Sequence, residues 1–485
     1  MRFRSLVATS LFLLSCASPS HALRAHAPPM HAAPPISTTT TSSAQVAVAA
    51  PAPTPAPHAS FASWLKSRLP AGGEIVDKPG EGVDVVHTVR AGDTVESVAA
   101  AYLDVTSVYF ATDLAAQIAK QNNTGKRALK ADTKLTIPGV LTEAYKTGDA
   151  ERLPHLEDKT MRGFYVRGAT AARTMFPSML ERMADRGINL IVLDAKDYDG
   201  FVTYPTKVAL ANEAGAVKHP PIRDLARTIR FAHDKGIRVA MRIASFEDEI
   251  MAKAKRNLSV QSKWGRAYPI GWLDPSNEGA QAYVIDLVKE SLDAGADEIQ
   301  LDYVRYPVLG IKGADFHLKE RGLTQTTVIR DFVRKVHAVT KARNVPLSLD
   351  VFGVIAFGAR VDIDALGQDP VLLAPECEAL APMVYPSHYA KGFHGWDEPG
   401  DHPEIVGIGT KAIRAQIDDA GIKGGAVIRP WLQAMNWKSP AYSPGYLATE
   451  IKSGDAAGGV GWLMWNPGQD YSYAWQAVPK RRVAN

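Results

Sequence analysis

The sequence predicts an α/β protein whose main domain is a (β/α)8 TIM barrel, preceded by a small βααβ domain. Strand-like and helix-like stretches alternate about eight times between residues 157 and 480, as in barrels of parallel strands joined by helices. Several helical stretches end in a glycine just before the next strand: Gly187, Gly236, Gly295 and Gly421. Glycine fits the left-handed turn that ends such helices. A doubly wound open sheet is the alternative fold, but no Gly-x-Gly-x-x-Gly motif follows the first strand.

Residues 1–22 have the features of a secretory signal peptide. Arg2 and Arg4 precede an apolar run over residues 6–14, which is too short to cross a bilayer as a helix. The residues Leu13-Leu14-Ser15-Cys16 resemble a bacterial lipobox, in which the cysteine becomes lipidated. We therefore expect an exported lipoprotein of the bacterial cell envelope, in contact with the membrane only through the lipid on Cys16. Cleavage after Ala22, which would release a secreted protein, is the alternative.

Residues 23–60 are rich in alanine, proline, threonine and serine and contain almost no large apolar side chains. Such a segment buries too little apolar surface to offset the entropy lost on ordering, which predicts a disordered linker. Cys377 is the other of only two cysteines. If Cys16 carries lipid, no internal disulfide can form.

Residues 84–140 are predicted to form the small domain. The segment opens with a strand-like stretch that ends in Gly92-Asp93-Thr94, and it closes with Leu135-Thr136-Ile137-Pro138. Helices are predicted between these stretches at 95–102 and 112–121, with Asp93 or Thr94 as the cap of the first. This pattern resembles a lysin motif (LysM), which implies binding of N-acetylglucosamine-containing glycans such as peptidoglycan. A spacer that no longer binds glycan is the alternative.

The main domain is predicted to span residues 157–480. Strands are predicted at 163–167, 189–194, 238–243, 297–303, 347–351, 381–385, 426–431 and 460–465. The principal helices are predicted at 171–185, 222–233, 280–293, 327–341, 408–420 and 446–451. In a barrel of this kind the functional site lies at the carboxyl ends of the strands.

Polar side chains concentrate at these strand ends. Apolar runs end in an aspartate on the second, fourth and fifth strands: Asp194, Asp302 and Asp350. Cationic and aromatic residues occupy neighbouring positions at strand ends: Arg167, Lys196, Arg242, Arg305, Tyr385, Trp431 and Trp465. Because parallel strands end on one face, we expect these side chains to line a common pocket. A structural polar network inside the barrel is the alternative.

Carboxylates surrounded by arginines and aromatic rings fit the hydrolysis of a glycosidic bond. One acid protonates the leaving oxygen, while a second carboxylate attacks the sugar or activates water. Aromatic faces support sugar rings, and arginines orient hydroxyls or lower the pKa of a carboxyl group. We therefore interpret the three aspartates as catalytic candidates and the other seven residues as substrate-binding candidates, with a polysaccharide as the substrate.

The run from Asp297 to Pro307, Asp-Glu-Ile-Gln-Leu-Asp-Tyr-Val-Arg-Tyr-Pro, resembles the signature of a bacterial family of glycoside hydrolase domains of unknown function. That family is related to α-amylase-like (β/α)8 hydrolases. Further matches lie on four other strands, at residues 163–168, 191–197, 348–353 and 382–387, and the resemblance covers residues 160–470.

The relation to amylase-like barrels implies roles for the aspartates. In those barrels an aspartate on strand four is the nucleophile and an acid on strand five donates the proton. The resemblance therefore implies that Asp302 is the nucleophile or base and Asp350 the acid, with Asp194 as a competing acid. Strand five carries aspartate here instead of the longer glutamate, so a retaining or an inverting outcome stays open.

Composition narrows the remaining classes of function. The net charge of +4 is spread along 485 residues, which gives no reason to expect nucleic acid as a partner. No cofactor is predicted and no metal site, because His388 and His394 are isolated. A noncatalytic glycan-binding lipoprotein is the second hypothesis. An enzyme acting on acyl groups of glycans is a weaker third, because no Gly-x-Ser-x-Gly motif is present.

Overall fold

The computed structural model describes residues 61–78, 82–125 and 128–481. The predicted signal peptide (1–22), the lipidated Cys16 and the predicted linker (23–60) lie outside the described residues, and these stay predictions. None of the helices in the described ranges is both long enough and apolar enough to cross a membrane.

The N-terminal part is a three-stranded antiparallel sheet with helices packed against it. Its elements are α1 (Phe61–Lys66), β1 (Gly73–Lys78), β2 (Gly82–Thr88), α2 (Val95–Tyr102), α3 (Ala111–Gln121) and β3 (Lys134–Ile137). The sheet order is β1-β2-β3. The succession β2-α2-α3-β3 is the predicted βααβ arrangement, to which β1 adds an edge strand that was not predicted. Assignment of this part as a LysM module stays a prediction.

The start of α2 shows why its boundary was readable from the sequence. The Thr94 hydroxyl accepts a hydrogen bond from the Ser97 backbone N–H, and the Ser97 hydroxyl accepts one from the Thr94 N–H. This reciprocal pair satisfies two of the N–H groups that a helix start leaves without partners. Asp93 does not cap the helix; its carboxylate instead accepts hydrogen bonds from the Arg90 N–H and from His87.

The main domain is a curled sheet of nine parallel strands with helices around it. The strands are β4 (Met161–Val166), β5 (Leu190–Lys196), β6 (Arg238–Ala244), β7 (Glu298–Asp302), β8 (Leu347–Phe352), β9 (Ala379–Met383), β10 (Val427–Ile428), β11 (Trp431–Gln433) and β12 (Gly461–Trp465). The hydrogen-bonded order is β10-β9-β8-β7-β6-β5-β4-β12-β11.

The helices of this domain follow the predicted alternation and add shorter segments. They are α4 (Gly168–Ala171), α5 (Met175–Ala184), α6 (Ala209–Ala214), α7 (Leu225–His233), α8 (Glu249–Ala254), α9 (Glu278–Asp293), α10 (Gln325–Ala342), α11 (Arg360–Leu366), α12 (Pro370–Leu373), α13 (Ile405–Asp419), α14 (Pro444–Ala456) and α15 (Ala474–Ala477). Each of the four glycines predicted to end a helix has a positive φ. The predicted left-handed helix ends are therefore confirmed.

The two outer strands of the curled sheet, β10 and β11, are consecutive pieces of one chain segment. The predicted seventh strand is interrupted at Arg429-Pro430, because proline has no N–H for a strand ladder. β10 pairs with β9, whereas β11 pairs with β12 on the opposite edge of the sheet. A short connection of two residues therefore links the two edges, and the strands enclose an interior.

Side chains in the interior differ from those outside the sheet. A small apolar cluster lies inside, with Met161, Tyr165, Leu190, Val192, Ala240, Ala381, Tyr385, Trp431 and Leu463 as its buried members. The larger core lies between the outer face of the sheet and the helices. On β7, Glu298, Gln300 and Asp302 contact polar residues of other strands, so one face of this strand carries polar groups from one end of the barrel to the other.

The small domain packs directly against α5 and α7 of the main domain. The Tyr109 ring contacts Phe176 and Phe231 with centroid distances of 5.4 and 4.5 Å. The Tyr109 hydroxyl donates to the Ala171 carbonyl at 3.0 Å, and Arg227 donates to the carbonyl oxygens of Val108 and Tyr109. The connection between α2 and α3 is therefore the segment that attaches the small domain to the barrel.

Candidate active site

Carboxylates from separate strands meet at the carboxyl ends of β5, β6, β7 and β8. Arg242, at the end of β6, lies between two of them. Its Nη1 donates to Asp194 Oδ1 at 2.5 Å, while its Nη2 and Nε donate to Asp302 Oδ2 at 2.7 and 3.0 Å. Residues that are 108 positions apart in the chain are therefore joined by one guanidinium group, as the strand-end pattern predicted.

Asp302 retains the most exposed carboxylate of the three predicted catalytic residues. Its side chain is 10% exposed, and its second oxygen, Oδ1, accepts a hydrogen bond from the Tyr303 N–H at 2.6 Å. Tyr303 has φ +48°, a left-handed conformation that is costly for a bulky residue. Such strain often occurs at functional sites. Here it turns the chain sharply just after the carboxylate, so that Asp302 lies at the rim of the barrel.

Asp350 is deeper in the barrel than Asp302. It is 1% exposed, and its Oδ1 accepts hydrogen bonds from Gln300 Nε2 and Trp431 Nε1, each at 2.6 Å. Its Oδ2 has no hydrogen-bond partner in the described structure. Burial and the neighbouring charge of Asp302 raise the pKa of Asp350 well above its ordinary value, so a protonated carboxyl group is favoured there.

Asp194 is equally buried and has a different set of partners. Its Oδ2 accepts a hydrogen bond from the Tyr165 hydroxyl at 2.6 Å, and its Oδ1 accepts from Arg242. Burial raises the pKa of Asp194 to about 7, although the positive charge of Arg242 acts in the opposite direction. The site therefore contains two buried carboxyl groups with raised pKa values beside a more accessible aspartate.

Most of the predicted substrate-binding residues lie near these carboxylates. Arg305 lies over the rings of Phe352, Trp272 and Tyr303, with its central carbon 4.3–5.4 Å from their centroids. Such cation–π contacts hold the guanidinium in place. Burial lowers the pKa of Arg305, which remains a cation at neutral pH.

The predicted aromatic residues divide into buried and accessible ones. Trp431 is 2% exposed and binds the Asp350 carboxylate, so it orients the acid from within the barrel. Tyr385 is also buried and stacks on Trp465 at 5.3 Å between centroids. Trp465 is only partly buried, and it is the member of this group that presents a ring toward solvent.

Two predicted substrate-binding residues, Arg167 and Lys196, form no hydrogen bond or ion pair with the three aspartates in the described structure. Arg167 has an exposed side chain, and the structure gives it no side-chain partner among the described residues. Lys196 is fully buried and donates to Asp248 Oδ2 at 2.8 Å. Its ammonium group also lies 5.8 Å from the Tyr283 ring centroid, outside the sheet. Its position favours support of the loop after β6 over the predicted contact with substrate.

Glu247 is a carboxylate of this face that lies on the loop after β6 and was not among the predicted catalytic or substrate-binding residues. It follows β6 by three residues, and its backbone is held by a β-bridge to Trp272 and by Lys196, which donates to its carbonyl oxygen. The side chain is partly exposed and forms no hydrogen bond or ion pair with the described residues. Burial and the negative charge of Asp302 raise the pKa of Glu247 to about 7, against the effect of Arg305. The raised pKa of Glu247 beside Asp302 is what marks it as a candidate, and this property can be seen only in the three-dimensional structure.

The described residues contain no group of three or more His, Cys, Asp or Glu side chains arranged to hold a metal ion. Two clefts of the described structure lie away from the carboxylates. One, of about 500 Å³, lies on the outer wall beside α5 and α15, and the other, of about 310 Å³, lies at the amino-terminal end of the strands. The chemistry that this geometry permits is therefore that of carboxyl groups, arginines and aromatic rings.

A family model described as "Putative glycosyl hydrolase domain" matches residues 163–471, more than half of the chain. The chain belongs to this glycosyl hydrolase domain family. The match begins within β4 and ends after β12, so it includes Asp194, Glu247, Asp302 and Asp350. The family resemblance predicted from the strand motifs is confirmed at this level, whereas the small N-terminal domain lies outside the match. A comparison with curated proteins found no match.

Several solved structures are similar to this member of the glycosyl hydrolase domain family. A hypothetical protein from Ruminiclostridium thermocellum ATCC 27405 is 30% identical, with 39% of this chain and 97% of that chain covered and a TM-score of 0.35. The PgaB (BpsB) glycoside hydrolase domain from Bordetella bronchiseptica is 16% identical, with 66% and 99% covered and a TM-score of 0.46. The spore cortex-lytic enzyme SleL from Bacillus megaterium QM B1551 is 12% identical, with 81% and 85% covered and a TM-score of 0.40. Because these TM-scores are low, the chemistry of this chain is inferred from the geometry of its own site.

Proposed function

We propose that the protein is a glycoside hydrolase that cleaves a polysaccharide at the carboxyl ends of its barrel strands. The observation that carries the proposal is the meeting of Asp194 and Asp302 at Arg242, with Asp350 close enough for its pKa to respond to Asp302. Burial of several carboxyl groups in one place costs free energy. Folding alone gives no reason for that cost, whereas glycosidic bond hydrolysis requires paired acids.

In this proposal Asp302 acts as the nucleophile or as the base that activates water. Its Oδ2 accepts hydrogen bonds from Arg242 Nη2 and Nε, which hold the carboxylate in place for either role. Hydrolysis breaks the bond between the anomeric carbon and the bridging oxygen. The anomeric carbon gains the hydroxyl of water, and the departing oxygen gains a proton from the acid.

Two residues are candidates for the acid. Asp350 corresponds to the strand-five acid that the family resemblance implies, and burial together with the charge of Asp302 raises its pKa. Glu247 has the longer side chain, is partly exposed and is free of side-chain partners among the described residues. A proton donor must reach the bridging oxygen, and this requirement favours Glu247, with Asp350 holding a second proton deeper in the barrel. Asp194 is the remaining alternative.

The small domain and the N-terminus complete the proposal. A LysM-like module would hold the enzyme near peptidoglycan or another N-acetylglucosamine-containing glycan. A lipid on Cys16 would retain it at the cell envelope. The direct packing of Tyr109 on the main domain supports a module that works together with the barrel.

The test is a screen of the purified protein against envelope and extracellular polysaccharides, with detection of products by mass. On a polysaccharide that responds, Asp302→Asn is expected to abolish product release. The matched control is Asp418→Asn, which changes an exposed aspartate paired with Arg414 on α13, and it should behave as the parent. Hydrolysis by the Asp302→Asn and Asp350→Asn variants at the parental rate would refute the proposal.

A noncatalytic glycan-binding protein is the second candidate function. It is favoured by the tight arginine contacts of Asp194 and Asp302 and by the burial of Asp350. Under this alternative, glycans bind to the parent and to the Asp302→Asn variant alike, and neither releases product from any polysaccharide of the screen.

A further inference from the structure

Aromatic side chains extend outward from Asp302 on one side of the barrel mouth. The Tyr303 ring follows Asp302 directly and lies 6.2 Å from the Tyr198 ring and 6.1 Å from the Trp272 ring, between centroids. Tyr198 is 50% exposed. These three residues, here named the first aromatic run, belong to the connections after β5, β6 and β7.

A second aromatic run lies on the connections after β9 and β11 and at the carboxyl end of β12. Trp465 stacks on Tyr385, which contacts His388 at 5.0 Å, and His388 contacts Trp437 at 5.5 Å between centroids. Trp437 is 39% exposed. Tyr385 lies close enough to Asp350 and Asp302 that, after burial, their charges contribute to raising its pKa.

The strand order places the two runs on opposite sides of the mouth. Around the curled sheet, β5, β6 and β7 are consecutive, and β9, the β10–β11 segment and β12 are consecutive on the other side. β8 separates the two groups at one boundary and β4 at the other. The carboxylates of β5, β7 and β8 belong to the mouth that these two runs border.

We propose that the mouth binds a linear polysaccharide across its width, with sugar rings on both aromatic runs and the scissile bond at Asp302. This proposal rests on the proposed function and adds where the chain is cut. A polysaccharide that is held on both sides of the reacting bond is cleaved at internal bonds. An enzyme that removes single units from a chain end needs ring contacts mainly on one side of the carboxylates.

The charge of the mouth indicates which polysaccharides fit. The carboxyl groups around the scissile bond are Asp194, Asp197, Glu247, Asp302 and Asp350, and the cations beside them are Arg242 and Arg305. Two further cations, Arg167 and Lys438, lie farther out, near Tyr198 and Trp437. Arg242 and Arg305 are already engaged, one by aspartates and the other by aromatic rings. Among the described residues no unengaged cation lies beside the scissile bond to pair with a carboxylated sugar, so we infer that the substrate is a neutral or amino-sugar chain.

The experiment measures binding separately from hydrolysis. Isothermal titration of the full-length Asp302→Asn variant uses chito-oligosaccharides, glucosamine oligosaccharides, malto-oligosaccharides and oligogalacturonates of two to eight units. Affinity for one of the first three series is expected to rise with chain length, and oligogalacturonates are not expected to bind. Adding Tyr198→Ala or Trp437→Ala should weaken the long chains about ten-fold each and leave the disaccharide unchanged.

Two kinds of control separate ring contacts from other effects. Tyr198→Phe and Trp437→Phe keep an aromatic ring and should retain most of the affinity, which excludes a mere folding defect. Trp264→Ala removes a ring that is 77% exposed and has no ring contact with another aromatic side chain of the described residues, and it should have no effect. Equal losses from Trp264→Ala would mean that the two runs have no special part in binding.

The outcomes distinguish this inference from the proposed function. Length-dependent binding that needs both Tyr198 and Trp437, with no product from the parent, would refute hydrolysis and support the binding path. If the parent releases single end units, and the Tyr198→Ala and Trp437→Ala variants release them at the parental rate, the binding path is refuted and hydrolysis is supported. The inference would also be overturned if none of the four oligosaccharide series bound, or if oligogalacturonates bound more tightly than the other three.

Discussion

The two ends of the barrel use charged residues in different ways. At the amino-terminal end, Glu298 Oε1 accepts hydrogen bonds from Arg429 Nη1 at 2.7 Å and from Ser348 at 2.6 Å. At the mouth, one arginine is shared between Asp194 and Asp302, and Asp350 has no cation of its own. The first end pairs its charges, whereas the mouth has an excess of carboxyl groups.

This difference separates the needs of folding from those of chemistry. A buried carboxylate with a matching arginine is a structural element, because losing either partner leaves an unpaired charge. Crowded carboxyl groups with raised pKa values are costly to the fold and are typical of catalytic sites. Substitutions at equivalent positions of the two ends should therefore affect different measurements.

The largest effect is expected from Asp302→Asn. Loss of the nucleophile or base should lower kcat/KM on a responsive polysaccharide by about 10²–10⁴-fold, while the protein remains folded. Initial rates of product release, measured together with circular dichroism, test this. If the loss of activity equals the loss of folded protein, Asp302 has the same role as Glu298 and the contrast between the two ends is removed.

Glu298→Gln is the matched change at the other end of the same strand. It leaves Arg429 buried without its charged partner, which should lower the free energy of unfolding by about 3–5 kcal/mol. Urea denaturation measures the change. The kcat of the folded variant should equal that of the parent, and a strong loss of kcat at unchanged stability would contradict this prediction.

Glu247→Gln tests which group supplies the proton. The pKa of Glu247 is raised to about 7, so the carboxyl group can donate below pH 7, and activity should decline as pH rises through that value. The variant should lose about 10²-fold in kcat/KM on glycosides with poor leaving groups, and much less on dinitrophenyl glycosides, which need no acid. The activity of Glu247→Gln should also show no decline as pH rises through 7. The activity of Asp194→Asn should still decline there, which assigns the decline to Glu247 and not to Asp194.

A uniform loss on both kinds of glycoside would show that Glu247 is not the acid. The same comparison with Asp350→Asn would then decide for or against the strand-five residue.

The smallest effect is a dependence of stability on pH near the amino-terminal end. His233 Nε2 contacts Asp297 at 2.7 Å and Nδ1 contacts Glu151 at 3.1 Å. Burial lowers the pKa of His233, but its bonds to Asp297 and Glu151 outweigh this and raise it to about 9. The contribution is full below pH 6.5 and is lost as pH rises toward 9, by on the order of 2 kcal/mol. Denaturation at pH 6 and 9 should show this loss in the parent and not in His233→Gln; a pH-independent difference would refute it.

The sequence was most informative where local rules decide the structure. Predicted and observed strands agree within about two residues for seven of the eight predictions, and three of these seven, β5, β6 and β7, directly follow a helix that ends in one of the predicted glycines. The aspartates at the ends of β5 and β7 were brought together as predicted. This followed from parallel strands, whose carboxyl ends share one face.

The errors of detail arose where tertiary contacts override the local pattern. Lys196 follows Asp194 by two residues, and regular alternation would place both side chains on one face. The pairing of β5 with β6 shifts register between these residues, so Lys196 turns outward to Asp248 instead. Glu247 lies beyond a strand end and has no periodic signal. Edge strand β1 was missed as well, because its only partner is β2.

The chain segment at the break Arg429-Pro430 connects the amino-terminal end of the barrel with the mouth. Arg429, just before the proline, donates a hydrogen bond to Glu298. Trp431, just after it, donates one to Asp350, so residues two positions apart contact the carboxyl groups of both ends. A small displacement of this short segment would move the indole donor and the guanidinium together. The foundation of the barrel and its reactive rim are therefore joined by backbone that both ends share.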